Sequence, residues 1–261
     1  NNHSFASPPW TSIRELENAS LKLEDEDAEK NSSYRLWLNL LVAPGSSLGG
    51  ARPKAGVRDS ENHLWIAKFP GRNDAVDSGA WEMAVHELAR RAGIQMSECR
   101  AERFTSRHHT FLTKRFDRSP KMERIHYSSA MTMLGYSDGT DAAAGVSYLE
   151  IAEFLVRHGA APDEDLQQLW KRIVFNIAVS NTDDHLRNHG FLLTPYGWRL
   201  SPAFDINPDP ESSGLSLNIT ESDNRLDPDL ALEAAPFFRV GHRAGKEIIT
   251  KTGEVVSLWQ S

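Results

Sequence analysis

The chain has 261 residues, and 29 Lys and Arg stand against 36 Asp and Glu, a formal net charge of −7. Hydrophobic residues make up 39% and charged residues 25%, an ordinary balance that excludes a disordered or collagen-like chain. The acidic excess argues against a general nucleic-acid coat protein. The single cysteine, Cys99, forbids an internal disulfide and a cysteine metal cluster, so a reducing, cytoplasmic setting is expected. No apolar run nears the roughly 18 residues of a membrane span, so no membrane partner is expected. The polar start, Asn1 to Trp10, shows no signal peptide and no initiator Met, which suggests a position inside a longer natural chain.

Ser12 and Glu15 have the spacing of a capping box, which predicts a short helix from there to about Leu23. Residues 24–33 form a charge run, read as a solvated helix end or loop. Strands are predicted near 55–58 and 64–69, joined by a polar turn at 59–62. A helix over 79–92 follows, capped by Gly93, and then strands near 99–104 and 109–116. From Tyr127 the pattern reads as helical. Tyr148–His158 is amphipathic. Pro162 opens a strong helix with Asp163, Glu164 and Asp165 complementing the macrodipole, and Leu166, Leu169, Trp170, Ile173, Val174 and Ile177 at helical spacing. Short strands are expected near 190–193 and 198–201. Residues 207–223 read as a mobile polar loop, and helices resume near 228–234 and 245–258. The pattern is α+β in two lobes, a β-rich half over 1–117 and a mainly helical half over 118–261, with a ligand cleft expected between them.

The chemistry concentrates in 181–205. Asn188 lies five residues after Asp183, the Asp-to-Asn spacing of the protein-kinase catalytic loop, where Asp meets the attacking hydroxyl and Asn ligates Mg²⁺. Asp205 follows a predicted hairpin, in the place of a second Mg²⁺ carboxylate. A capped turn is the plain alternative for the Asp-Asp-His run, and no glycine follows Asp205 as it would in an Asp-Phe-Gly motif. A hydrolytic metal centre on Asp183, Asp184 and His185 is disfavoured, because adjacent residues rarely converge on one metal. Upstream, Ser46-Ser47-Leu48-Gly49-Gly50 beside Arg52 and Lys54 could cradle phosphate on backbone N–H groups, although it lacks Walker spacing. Lys68 sits mid-strand among apolar neighbours, and Glu82 on the next helix is a natural ion-pair partner.

Five ordered motifs resemble the HipA-like kinases, the toxin components of HipBA-type toxin–antitoxin systems. They are Gly45 to Ala55, Trp65 to Pro70, Lys114 to Arg118, Asn181 to Asn188 and Leu200 to Asp205. The resemblance covers roughly residues 10–260. It implies a Ser/Thr protein kinase of protein-kinase-like or lipid-kinase-like fold that uses ATP and Mg²⁺. It makes Asp183 the catalytic residue, and Asn188 and Asp205 the metal ligands. Nucleotide contacts would come from Gly49, Gly50, Ala51, Arg52, Pro53, Lys54, Lys68, His185, Leu186, Arg187, Asn188, Phe204 and Asp205. Lys114, Arg115 and Phe116 would form the hinge, meeting adenine largely through backbone. Ser47 would be the autophosphorylated serine whose modification ejects the loop and blocks ATP.

The resemblance also implies a protein substrate, with family members acting on translation proteins including aminoacyl-tRNA synthetases. A HipB-like DNA-binding antitoxin would be the partner, so DNA would be met only indirectly. Lys114 stands where Glu is common, and Asp184 where some relatives have Gly. The small N-terminal domain of full-length members is missing, so a compact relative or a fragment is expected. A nucleotide-binding pseudokinase acting through an antitoxin, or a small-molecule kinase, are the alternatives.

Overall fold

The computed structural model describes residues 8–25, 27–41, 52–209 and 213–260. The chain divides into two compact units, one of residues 1–83 and 97–123, the other of residues 84–96 and 124–261.

In the first unit, helices α1 (Ile13–Leu23) and α2 (Tyr34–Leu41) precede a four-stranded antiparallel sheet of order β1-β2-β4-β3. The strands are β1 (Lys54–Arg58), β2 (Leu64–Lys68), β3 (Cys99–Glu102) and β4 (Thr110–Lys114). Burial alternates along β1 and β2, as period-two side chains demand. Ala55, Val57, Trp65 and Ala67 face a core with Ile13, Leu16, Phe69 and Leu112. Lys54 and Lys68 are paired across the β1–β2 ladder, on the opposite face.

The capping box predicted at Ser12 does not form. A 3-10 turn, Trp10–Ser12, already puts Ser12 in helical backbone, and its side chain makes no cap. The charge run after α1 includes a 3-10 turn, Ala28–Lys30, that buries Ala28.

Helix α3 (Ser78–Arg91) begins in the first unit and ends in the second. Gly93 follows it in the left-handed region at φ +86°, where glycine carries no Cβ penalty. In the second unit, β5 (Tyr127–Ser129), β6 (Gly190–Thr194) and β7 (Gly197–Leu200) form an antiparallel sheet. Strand β5 corrects the reading of this region as helical. It leads into the short helix α4 (Ala130–Leu134), capped by the Ser129 hydroxyl, which accepts from the Thr132 N–H. Helices α5 (Tyr148–His158), α6 (Pro162–Val179), α7 (Pro228–Ala234) and α8 (His242–Ser257) complete the unit.

The α6 stripe is buried as its spacing requires: Leu166, Leu169, Trp170 and Ile173 lie in the main core with Tyr148, Leu155 and Phe191. Asp165 does more than complement the macrodipole, since it is buried and accepts from Arg199 Nε at 2.9 Å and from the Leu200 N–H at 3.0 Å. The segment read as a mobile loop is anchored in its described part. Leu215, Leu217 and Ile219 are buried at period two, and Asn218 exchanges backbone hydrogen bonds with Val146 and Tyr148. Among the described residues no helix is long and apolar enough to cross a membrane.

Candidate active site

Ser47, Gly49, Gly50 and Ala51 lie outside the described residues. The basic residues that follow them are placed. The Arg52 guanidinium donates to the Asp74 carboxylate, which also accepts from the Gly71 N–H at 2.9 Å. The Pro53 carbonyl accepts from the Phe69 N–H at 2.9 Å, so the β1–β2 ladder extends past the ends of both strands. Lys68 Nζ lies 2.5 Å from Glu82 Oε1 on α3, and both side chains are largely buried at 12% and 8% exposed. It also stands 5.8 Å over the Phe111 ring, its cross-strand neighbour on β4. On the same face Lys54 stands opposite Lys68 across the ladder, and Glu82 offsets the charge of Lys68.

At the end of β4, Lys114 Nζ reaches Glu98 at 3.4 Å and lies 5.9 Å from the Trp65 ring. Its backbone N–H donates to the Glu98 carbonyl at 2.8 Å, and that of Arg115 to the Leu64 carbonyl at 2.8 Å. Neither N–H is open to a base without breaking a bond of the sheet. The adenine contacts that the resemblance implies for this stretch would have to use other backbone groups. Arg115 grips Asp117 through two hydrogen bonds of 2.8 and 2.6 Å, and Arg118 adds another of 2.8 Å. Burial alone would raise the Asp117 carboxyl, but these two arginines outweigh it and hold it below its usual value. Phe116, between them, is half-buried.

In the second unit, α6 ends as Ser180 turns into the left-handed region at φ +55°. The chain then turns through 181–185 into a 3-10 turn, Leu186–Asn188. Asp183 is exposed, and no described residue hydrogen-bonds its carboxylate. Its carbonyl accepts from the His185 N–H and from Asn188 Nδ2, both at 3.0 Å. That fixes the Asn188 amide with Oδ1 as its acceptor end. Leu186 is a buried anchor in the core, not a contact presented to solvent. Arg187 is turned to Asp138 at 2.9 Å and to His185 Nε2 at 3.2 Å. A cavity of about 190 Å³ opens beside Asp183, lined by His185, Arg187, Asp138, Thr140 and Ser216. Phe204 is half-buried, and Asp205 adopts φ +59° and accepts from Asn207 Nδ2 at 3.2 Å.

Asp184 points the other way and is buried at 4% exposed. Its Oδ2 accepts from Tyr148 Oη at 2.7 Å, Asn176 Nδ2 at 2.6 Å and His189 Nε2 at 2.9 Å. Burial would raise this carboxyl, but the charge and hydrogen bond of His189, helped by Tyr148 and Arg172, hold it below its usual value. Sequence reasoning gave none of Asn176, Tyr148 or His189 a role. The available signal was Asn176 itself, an amide among the apolar residues of α6.

Among the described residues no group of three or more His, Cys, Asp and Glu could hold a metal alone. The Asn188 amide oxygen and Asp205 carboxylate are hard oxygen donors. They suit Mg²⁺, which usually takes one or two protein oxygens together with phosphate and water.

The chain's residues 46–259 match the model of the HipA-like C-terminal domain, and the chain belongs to that family. A Haemophilus influenzae protein named "Putative kinase" is 24% identical over 188 residues, 64% of this chain and 54% of the relative. A Sinorhizobium fredii protein named "Putative kinase Y4mE" is 28% identical over 148 residues, 54% of this chain and 33% of the relative. The chain thus spans about half or less of the curated relatives it matches. Among solved structures it is similar to HipA of Shewanella oneidensis, determined with HipB and its operator DNA. The TM-score is 0.65 at 16% identity, covering 82% of this chain and 58% of that one. It is also similar to the Helicobacter pylori proinflammatory kinase CtkA, with a TM-score of 0.52 at 15% identity, covering 79% of this chain and 88% of that one. These likenesses establish the kinase-like α+β fold.

Proposed function

We propose that this chain is the catalytic region of an ATP- and Mg²⁺-dependent kinase that phosphorylates serine or threonine on a protein. The observation that carries the reading is the 181–188 turn. It presents the Asp183 carboxylate to solvent without a hydrogen-bonding partner among the described residues, and it ties the Asn188 amide to the backbone of Asp183. A general base must be free to meet its proton, and a metal ligand must be held still. Kinship with proteins named as kinases agrees with this.

In this reading Lys68, oriented by Glu82, binds phosphate oxygens of the nucleotide. Asn188 and Asp205 hold Mg²⁺, which when bound offsets charge on the phosphates. Asp183 orients the acceptor hydroxyl and takes its proton as the acceptor oxygen bonds to the γ-phosphorus and the β–γ bridge oxygen leaves with its electron pair. Positioning and electrostatics supply most of the rate. Phosphate added to Ser47 would bring about −1.5 to −2 charges to the segment that precedes Arg52 and Lys54 in the sequence, and in this reading it would compete with nucleotide, an inhibitory switch. Because the Shewanella HipA structure contains HipB and operator DNA, a HipB-like antitoxin is the partner we propose. The test is incubation with γ-labelled ATP, Mg²⁺ and cell lysate. Wild type labels a protein and Asp183→Ala does not; equal labelling by both overturns the assignment.

A further inference from the structure

We propose that Asp184, Asn176 and Asn181 form a buried positioning relay that fixes the turn carrying Asp183 to the segment carrying Asp205; this rests on the functional reading of those two aspartates. The relay is a continuous chain of hydrogen bonds. Asn176 Nδ2 donates to Asp184 Oδ2 at 2.6 Å. Asn181 Nδ2 donates to Asn176 Oδ1 at 3.0 Å. The Asn207 backbone N–H donates to Asn181 Oδ1 at 3.2 Å, and Asn207 Nδ2 donates to Asp205 Oδ1 at 3.2 Å. The three central side chains belong to buried residues, Asn176 and Asn181 each 1% exposed and Asp184 4%.

The polarity of this chain runs one way. An ionised carboxylate only accepts, so Asn176 must offer its NH₂ to Asp184 and its oxygen to Asn181. Asn181 in turn must offer its oxygen to Asn207. Turning either amide over sets donor against donor or acceptor against acceptor at both of its ends. In a low-dielectric interior each such mismatch is costly. Tyr148 and His189 hold the Asp184 end from two further directions. The Asp183 carboxylate has no hydrogen-bond partner among the described residues, so its position depends on how the backbone around it is held. On one side the Thr182 carbonyl accepts from the Ser216 N–H and hydroxyl, at 2.9 and 2.7 Å. On the other side Asp184 is sunk into the relay. Asp184 is a positioning residue, not a catalytic one.

The test compares Asp184→Leu with the conservative variant Asp184→Asn and with Tyr148→Phe. Leucine offers Asn176 no acceptor, which frees its amide to turn. Asparagine can set its Oδ1 where the aspartate Oδ2 stood and so keeps the bond from Asn176. Tyr148→Phe removes a donor to the carboxylate without cutting the path. In Asp184→Leu, hydrogen exchange at the Asn207 amide should accelerate several-fold, and kcat should fall about 10–100-fold, the usual range for an outer-shell partner, while KM for ATP holds. Both changes should be small in Asp184→Asn and in Tyr148→Phe. If Asp184→Leu fails to fold, Asn181→Ala cuts the same path and is measured in the same way. Wild-type Asn207 exchange in the folded variant overturns the relay, as does a Tyr148→Phe effect equal to that of Asp184→Leu. If wild type transfers no phosphate, the functional reading fails, and exchange at Asn207 still decides whether the relay exists.

Discussion

Lys68 Nζ and Glu82 Oε1, 2.5 Å apart, join strand β2 to helix α3 through an ion pair that is nearly closed to water. Removing one partner from such a pair leaves a buried charge uncompensated, typically at about 3–5 kcal/mol, whereas replacing both with apolar groups is often neutral. Lys68→Ala and Glu82→Ala should therefore each destabilise, and Lys68→Met/Glu82→Leu should recover most of the loss in urea unfolding. ATP affinity, measured by calorimetry, should stay low in the double variant. Recovery of both properties would make the pair purely structural.

Gly190 and Tyr127 meet at the β5–β6 pairing. A Cβ on Gly190 would lie 2.2 Å from Tyr127 Cε2, far inside contact distance. Gly190→Ala should therefore cost about 1–3 kcal/mol through overpacking. Tyr127→Ala in the same chain should make the added methyl nearly harmless, a coupling read from the double-mutant cycle in chemical denaturation.

Glu87 on α3 accepts from Arg90 and Arg91, and these hydrogen bonds lower its pKa from 4.5 to about 2. A carboxyl depressed on folding stabilises the protein above its unfolded pKa, and that contribution is lost as pH falls through the folded value. The window thus runs from about pH 4.5 down to about 2. The group is substantially exposed, so the effect is small and screened by salt. Glu87→Gln should flatten this part of the acid limb of Tm against pH, and the difference from wild type should shrink at 1 M salt. A parallel acid limb in the variant would refute the assignment.

The elements with strong periodicity were legible. The α6 stripe and the strands β1 and β2 lie where their spacing put them, because each buries one face and so repeats its apolar residues; β6 and β7 were marked instead by the turn Pro195-Tyr196-Gly197 between them. Strand β5 was missed because Tyr-Ser-Ser has no alternation to read; its pairing with β6 makes it a strand. Residues 213–223 looked mobile because polar residues separate Leu215, Leu217 and Ile219. That alternation is itself a burial signal, hidden by the acidic, serine and proline residues around it. At the site, Lys68 and Glu82 could be paired in advance, since strand and helix geometry limit their directions. Asp184 could not be told from Asp183, because adjacent residues in an irregular turn share composition while facing opposite environments.

Asp205 combines a strained backbone with a carboxylate, and the two can be separated. Its φ of +59° lies in the left-handed region, which costs a residue with a Cβ about 1–2 kcal/mol, less for Asp, whose side chain bonds locally. Here Asp205 Oδ1 accepts from Asn207 Nδ2, a bond that helps to hold the turn. Asp205→Ala keeps the backbone penalty and loses the bond, so it should be the less stable variant. Asp205→Gly loses the bond but removes the penalty, and it should unfold at higher urea than Asp205→Ala, offset in part by the greater freedom of glycine in the unfolded chain. Neither replaces the carboxylate oxygen proposed to hold Mg²⁺. Both should therefore lose the Mg²⁺-dependent part of ATP affinity to the same extent, measured by titrating ATP with and without Mg²⁺. If Asp205→Gly binds Mg·ATP as wild type does, the carboxylate is not a metal ligand, and Asp205 is there for its turn alone.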